Sequence, residues 1–223
     1  MSSPRFNLPG GTDRTCVIGM TGTGKTVFGA WLLSKQRFNE RPWVCLDFKN
    51  EILWDQVGDP PMRPLSLNHL PKKNGLYRLD ITSRDNDALE DWLWEVWSKE
   101  NIGIFCDEVS LVPQKEAFKS ILRQGRSKRI PVIACTQRPV DCDREVFSEA
   151  NYVSVFRVKD RRDYKIIQEF TGNAAIDAPL PQHWSYWYDA KENQILSLRP
   201  CPPPDIVAKS LRDVAPYSFS LFG

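Results

Sequence analysis

The chain has 223 residues, of which 41% are hydrophobic and 26% charged; that length allows one large α/β domain with its own core, and that balance argues against a disordered chain, a fibre or a disulfide scaffold. Its 30 basic and 28 acidic side chains nearly cancel, which excludes whole-surface attraction to a polyanion and leaves any nucleic-acid contact to local groups. No apolar run reaches the roughly 20 residues that span a bilayer, and the opening MSSPRFNLPGG has no signal-peptide core, so the expected setting is a cytoplasm or something assembled there.

In chain order, residues 15–18 form a short β-prone run that ends in a glycine-rich turn, and residues 27–37 follow with Phe28, Trp31 and Leu32 at helical spacing. A second apolar run, residues 43–46, closes on Asp47, Lys49 and Glu51. Pro60, Pro61, Pro64 and Pro71 then argue against long helices, so the stretch up to about residue 80 is expected to be loop. Caps at 85–87 precede a helix whose inner face carries Leu89, Trp92, Leu93, Val96 and Trp97. Residues 102–106 read as a buried strand, 115–126 as an amphipathic helix, 132–136 as the next strand. A short helix at 143–149, a strand at 152–158 and a helix at 161–170 complete the alternation, which implies a mainly parallel sheet with helices on both faces. The segment WSYWYDAKENQILSLRP breaks that rhythm and reads as a hairpin turning at 190–193; the Pro-rich CPPPD and the last residues read as an accessory tail. One domain over 1–223 is expected, with a core at about 13–172 and the hairpin and tail at about 180–223.

Among the six cysteines, Cys16, Cys45, Cys106 and Cys135 fall inside apolar runs and no C-x-x-C pair occurs, which predicts buried thiols rather than a metal cage. His69 and His183 stand alone in polar or Pro-rich surroundings and read as incidental.

Gly19, Met20, Thr21, Gly22, Thr23, Gly24, Lys25 and Thr26 match G-x-x-x-x-G-K-[ST], between a strand and the first turn of a helix. Glycines there let backbone amides wrap phosphate oxygens, Lys25 reaches the β and γ phosphates of ATP, and Thr26 can ligate Mg²⁺. The strand at 102–106 delivers Asp107, expected to hold the Mg²⁺ shell, and Glu108, expected to polarise the attacking water. The next strand ends at Gln137, whose amide could report the γ phosphate. Arg123, Arg126, Lys128 and Arg129 precede that strand; either they form a solvated basic helix end, or one of the guanidiniums reaches a neighbouring subunit's nucleotide as an arginine finger. Lys128, Arg129, Arg161 and Arg162 are candidates for sequence-blind contact with DNA phosphates, against an ordinary charged helix start.

In this order GMTGTGKT, LDFKNE, IFCDE, RQGRSKRIPVIACTQRP and FRVKDRRDY resemble the FtsK/HerA superfamily of ring-forming DNA translocases, over residues 15–165. Within it, the small size looks most like the genome-packaging ATPases of tailless, internal-membrane phages of the tectivirus kind. The resemblance implies a P-loop NTPase fold of RecA type and a homo-oligomeric ring, expected to be hexameric. It implies that the ring drives double-stranded DNA into a procapsid, acting in the host cytoplasm and at the packaging vertex of the virion. It carries over Lys25, Thr26, Asp107, Glu108 and Gln137 as nucleotide residues, with Arg126 or Arg123 as the finger in trans. The hairpin and tail match no motif of that family and are expected to dock to capsid vertex proteins. Two alternatives remain beside it: a nucleotide-gated assembly or secretion factor of the Zot-like kind, and a small-molecule P-loop kinase.

Overall fold

The computed structural model describes residues 6–58, 62–113, 115–172 and 180–215. In chain order the elements are β1 (Arg14–Ile18), α1 (Lys25–Leu33), β2 (Pro42–Asp47), α2 (Ile52–Val57), β3 (Met62–Leu65), β4 (Gly75–Asp80), α3 (Asn86–Lys99), β5 (Gly103–Cys106), α4 (Glu116–Gln124), β6 (Val132–Thr136), α5 (Glu145–Ser148), β7 (Tyr152–Val155), α6 (Arg161–Thr171), β8 (Ser185–Asp189), β9 (Gln194–Leu198) and α7 (Pro204–Val214).

The strands form a 9-stranded sheet in the order β3-β4-β2-β5-β6-β1-β7-β8-β9. Neighbours from β3 through β7 pair in parallel, and β8 and β9 are added antiparallel. Both faces are covered, so the central strands are apolar throughout, and successive residues feed opposite cores. Val44, Leu46, Ile104 and Cys106 pack towards α3 and α4. Trp43, Cys45 and Phe105 pack towards α1, α2 and α7. Gly103 is required where β5 passes β2, because a Cβ there would stand 2.3 Å from a ring carbon of Trp43.

Two expectations are overturned. The stretch read as loop contains α2, β3 and β4. Prolines are tolerated there because β3 is an edge strand, where Pro64 need not donate to an inner ladder. The accessory tail contains a helix, α7, which opens on Pro204 and buries Val207, Ala208 and Leu211 against α1 and α2. A proline at the first helical position lacks only an N–H that would be orphaned anyway. The hairpin turns where expected and extends the main sheet beside β7. Residues 216–223 lie outside the described residues.

Candidate active site

Every parallel strand points its carboxyl end to one edge of the sheet, the place where α/β folds gather their ligand-binding loops. The loop after β1 is tied to that edge on both sides, since Gly19 N–H donates to Thr136 O at 3.1 Å and Met20 N–H to Arg157 O at 3.0 Å. Within the loop, Thr23 Oγ1 donates to Met20 O at 2.7 Å, and Gly22 and Gly24 hold positive φ of 80° and 94°. Those φ values suit glycine and let the chain curl ahead of the α1 N-terminus with its amides free for an anion. A Cβ at Gly19 would approach Phe156 Cβ to 2.6 Å, so that position has room only for hydrogen. Lys25 is buried at the first turn of α1 and makes no ion pair among the described residues. A buried, unpaired ammonium beside free amides is a phosphate site.

Asp107 leaves β5 at 0% exposure, and neither of its carboxylate oxygens meets an N–H or hydroxyl donor among the described residues. What faces it is the half-buried carboxyl of Glu51, whose pKa is raised by burial first and then by the charge and proximity of Asp107. Two carboxyl groups crowded in a desolvated place, close to the α1 turn that carries Thr26, fit a divalent cation with oxygen ligands.

Glu108 is only 7% exposed and accepts three hydrogen bonds. Its Oε2 accepts from Lys49 Nζ at 2.7 Å, and its Oε1 accepts from Ser110 Oγ at 3.0 Å and from Gln137 N–H at 3.2 Å. Gln137 also reaches the P-loop, its Oε1 accepting from Thr21 Oγ1 at 2.7 Å. One residue at the end of β6 thus bridges the phosphate loop and the acid of β5. An open cavity of ≈ 530 Å³ lies beside this bridge, lined in part by Thr21, Gln137, Arg138 and Lys159. The Arg138 side chain is held by Asp163 at 3.1 Å and Asp160 at 3.2 Å.

Sequence reasoning missed Lys49 and Glu51 as site residues, although both stand in the LDFKNE segment. Asp47, buried at the end of β2, shapes the turn that presents them: its Oδ1 accepts from Lys49 N–H at 3.2 Å and Glu51 N–H at 3.3 Å. Its Oδ2 pairs with Arg78 at 2.8 Å. It also missed His183, whose Nδ1 lies 3.2 Å from Thr23 O, against the P-loop. That contact sets His183 against the P-loop, a placement its Pro-rich surroundings did not indicate. The His69 ring lies 3.0 Å from Ser66 Oγ, and the residue's carbonyl accepts from Trp92 Nε1.

The basic candidates are dispersed. Arg123 lies in the last turn of α4, and Arg126, Lys128 and Arg129 follow it before β6, at the amino-terminal edge of the sheet, one strand length from their own P-loop. Arg123 is held by Glu145, and Lys128 pairs with Glu100 at 2.7 Å and covers the Trp97 ring. Arg126 is exposed and makes no ion pair among the described residues. Arg161 and Arg162 begin α6 at the opposite, nucleotide edge, where Arg162 pairs with Asp160 at 3.0 Å. The four DNA candidates therefore do not form one patch on a single subunit.

No described helix is long and apolar enough to cross a membrane. No family model matches the chain. Among solved structures, the genome packaging NTPase B204 of Sulfolobus turreted icosahedral virus 2, in complex with ATP-gammaS, superposes with a TM-score of 0.69 at 18% identity, covering 86% of this chain and 99% of that one. B204 of Sulfolobus turreted icosahedral virus, a DNA-packaging ATPase, gives 0.66 at 20% identity, covering 86% of this chain and 98% of that one. Both likenesses carry the fold, a P-loop sheet with helices on both faces. The DNA packaging ATPase P9 of Enterobacteria phage PRD1 is 34% identical over 213 residues, 91% of this chain and 93% of that protein. At that identity and coverage, this chain belongs to the family of the PRD1 packaging ATPase P9.

Proposed function

We propose that this chain is an ATP-driven motor that moves double-stranded DNA into a viral procapsid, working as a homo-oligomeric ring, six-membered by the resemblance above, at a capsid vertex. The observation that carries the reading is the bridge by Gln137 between the P-loop and Glu108. A nucleotide carrier needs the phosphate cradle alone, whereas a hydrolase also needs a base held in register with it.

In this reading the P-loop amides and Lys25 bind the phosphates. Thr26 and Asp107 would hold Mg²⁺, with Glu51 beside them. The ion, when bound, neutralises charge on the phosphate oxygens. Glu108 takes a proton from water as the water oxygen bonds to the γ phosphorus and the bond to the β–γ bridging oxygen breaks, leaving ADP and phosphate. Gln137 orients the γ phosphate or the water against Glu108. Arg126 of a neighbouring subunit offsets the charge that spreads over the γ phosphoryl oxygens. DNA contacts must be sequence-blind, and Arg129 and Arg161, free of ion pairs among the described residues, are the better placed of the four candidates.

Steady-state ATP turnover with and without duplex tests this. The native chain should be stimulated by duplex, Glu108→Gln should bind ATP and lose turnover by about a thousandfold, and Lys25→Ala should lose nucleotide affinity while keeping its melting temperature. A turnover rate indifferent to duplex in an assembled ring would sink the motor, and transfer of phosphate to a small acceptor would favour a kinase.

A further inference from the structure

The turn between β2 and α2 lays a side chain on each functional carboxylate of β5: Lys49 on Glu108 and Glu51 on Asp107. The turn is built to do so. Asp47 accepts both backbone N–H groups, and Asn50 adopts φ of 52°, a left-handed conformation that asparagine tolerates, between them. Glu108 has about four lone-pair positions, and three are filled here, one of them by an ammonium. The one open position lies on Oε2 beside the ammonium, so a water that binds there must share that oxygen with Lys49.

We propose that Lys49 is a positioning residue that restrains Glu108, holding the base off the water until a phosphate oxyanion from outside the subunit draws the ammonium away. The inference rests on Glu108 being the general base. Its geometry also says where the releasing anion comes from. β2 is separated from β1 by β5 and β6, a span of roughly 14 Å at ordinary strand spacing. Lys49 therefore approaches Glu108 from the flank away from β1. Its side chain is 27% exposed against 7% for Glu108, so an anion arriving from solvent meets the lysine first. The DNA backbone supplies such anions, and opening the pair on its arrival would make hydrolysis wait for the substrate to be moved.

Lys49→Met is the test, read in full-length assembled protein with and without duplex. Its duplex-free kcat should rise roughly three- to tenfold, the effect of removing an ion pair of modest strength from the base. KM for ATP should stay within about twofold, because Lys49 bonds to Glu108 and to no P-loop residue among the described residues. The stimulation by duplex should shrink by the same factor as the basal rate grows, and Lys49→Arg should behave as the native chain. A Lys49→Met protein that binds ATP normally but turns it over no faster, or more slowly, without duplex overturns the restraint. So does one whose duplex stimulation is intact. Lys49→Gln, which keeps a polar group at the site, replaces Lys49→Met should the latter fail to fold. The double variant Lys49→Met/Glu108→Gln must be as inactive as Glu108→Gln alone; residual turnover would mean that the gain does not pass through Glu108. Glu108→Gln alone separates the two readings, since its loss of turnover supports the base whatever Lys49 does.

Discussion

At the carboxyl-terminal edge of the sheet the charged groups Asp47, Asp107 and Glu108 are buried and crowd together, whereas at the amino-terminal edge Arg126 and Arg129 are exposed and free of ion pairs among the described residues. The first arrangement is costly to build. Buried carboxylates need partners, and here they receive Arg78, Lys49, a serine hydroxyl and backbone amides, leaving only Asp107 without a donor. The second costs little, since exposed guanidiniums keep their water. The difference is what the proposed ring would use: one edge holds the phosphate loop and its acids, and the other carries exposed guanidiniums that a neighbouring copy could meet, a strand of 5 residues away.

The sharpest way to break this comparison is to ask whether the two edges work together within one chain or between two. Arg126→Ala should leave ATP affinity and melting temperature as they are and lower assembly-dependent turnover by about a hundredfold or more. Arg123→Ala should change turnover by less than about threefold, because Glu145 already holds that guanidinium on its own surface. Mixing Arg126→Ala with Lys25→Ala subunits should then recover part of the activity, since the intact P-loop of one meets the intact arginine of the other. Two inactive variants that stay inactive when mixed into one ring place the finger elsewhere.

The nucleotide edge was legible in the sequence wherever a function is written in consecutive residues. The P-loop, Asp107 and Glu108 lie in short segments next to strands with strong apolar signals, and the run at 132–136 coincides with β6. Less legible were elements whose prolines look like breakers but sit at permitted places, such as Pro64 on the edge strand and Pro204 at the head of α7. Least legible were pairings across the fold. Lys49 and Glu108 are 59 residues apart, and His183 and Thr23 160 apart, so no local pattern announces either. The feature that could have pointed to Lys49 was present, a strand that ends in alternating charges at the same edge as the P-loop.

A second measurement sharpens the contrast in stability. Arg78 joins Asp47 at 2.8 Å, Asp55 at 2.6 Å and Asp80 at 2.7 Å, and is the only cation paired with the buried Asp47 among the described residues. Arg78→Ala should cost about 2–4 kcal/mol in chemical denaturation, because a buried carboxylate is left with two backbone amides alone. Arg126→Ala, at the exposed edge, should stay within about 0.5 kcal/mol. The pH dependence carries a sign. Burial already raises the Asp47 pKa above its ordinary value, offset by the turn amides and Arg78. Without Arg78 it rises further, so the fold favours the protonated form. The deficit of Arg78→Ala is then full above the folded-state pKa and shrinks as pH falls towards the ordinary carboxylate range. A deficit that stays constant or grows on acidification would mean that Arg78 stabilises the fold by packing rather than through its carboxylate partners.

The smallest effect concerns the sheet that separates the two edges. Each of its four central strands carries one buried thiol, Cys16 in β1, Cys45 in β2, Cys106 in β5 and Cys135 in β6, and burial pushes all of them well above the usual thiol range. Cys142 and Cys201 are half-buried and pushed up to about 12 and about 11. Alkylation proceeds through the thiolate, and each unit of pKa removes about a factor of ten of it at a fixed lower pH. At pH 8 the native protein should therefore be alkylated slowly at Cys201, more slowly at Cys142 and not at the four strand cysteines. The two slow rates should rise about tenfold per pH unit up to those values, and all six thiols should react at once in denaturant. Mass spectrometry of the modified sites reads this directly. A strand cysteine that reacts in the native state, above all Cys135 beside the P-loop or Cys45 beside the Lys49 turn, would show that the sheet opens between its edges. The division of labour between them would then not rest on a rigid spacer.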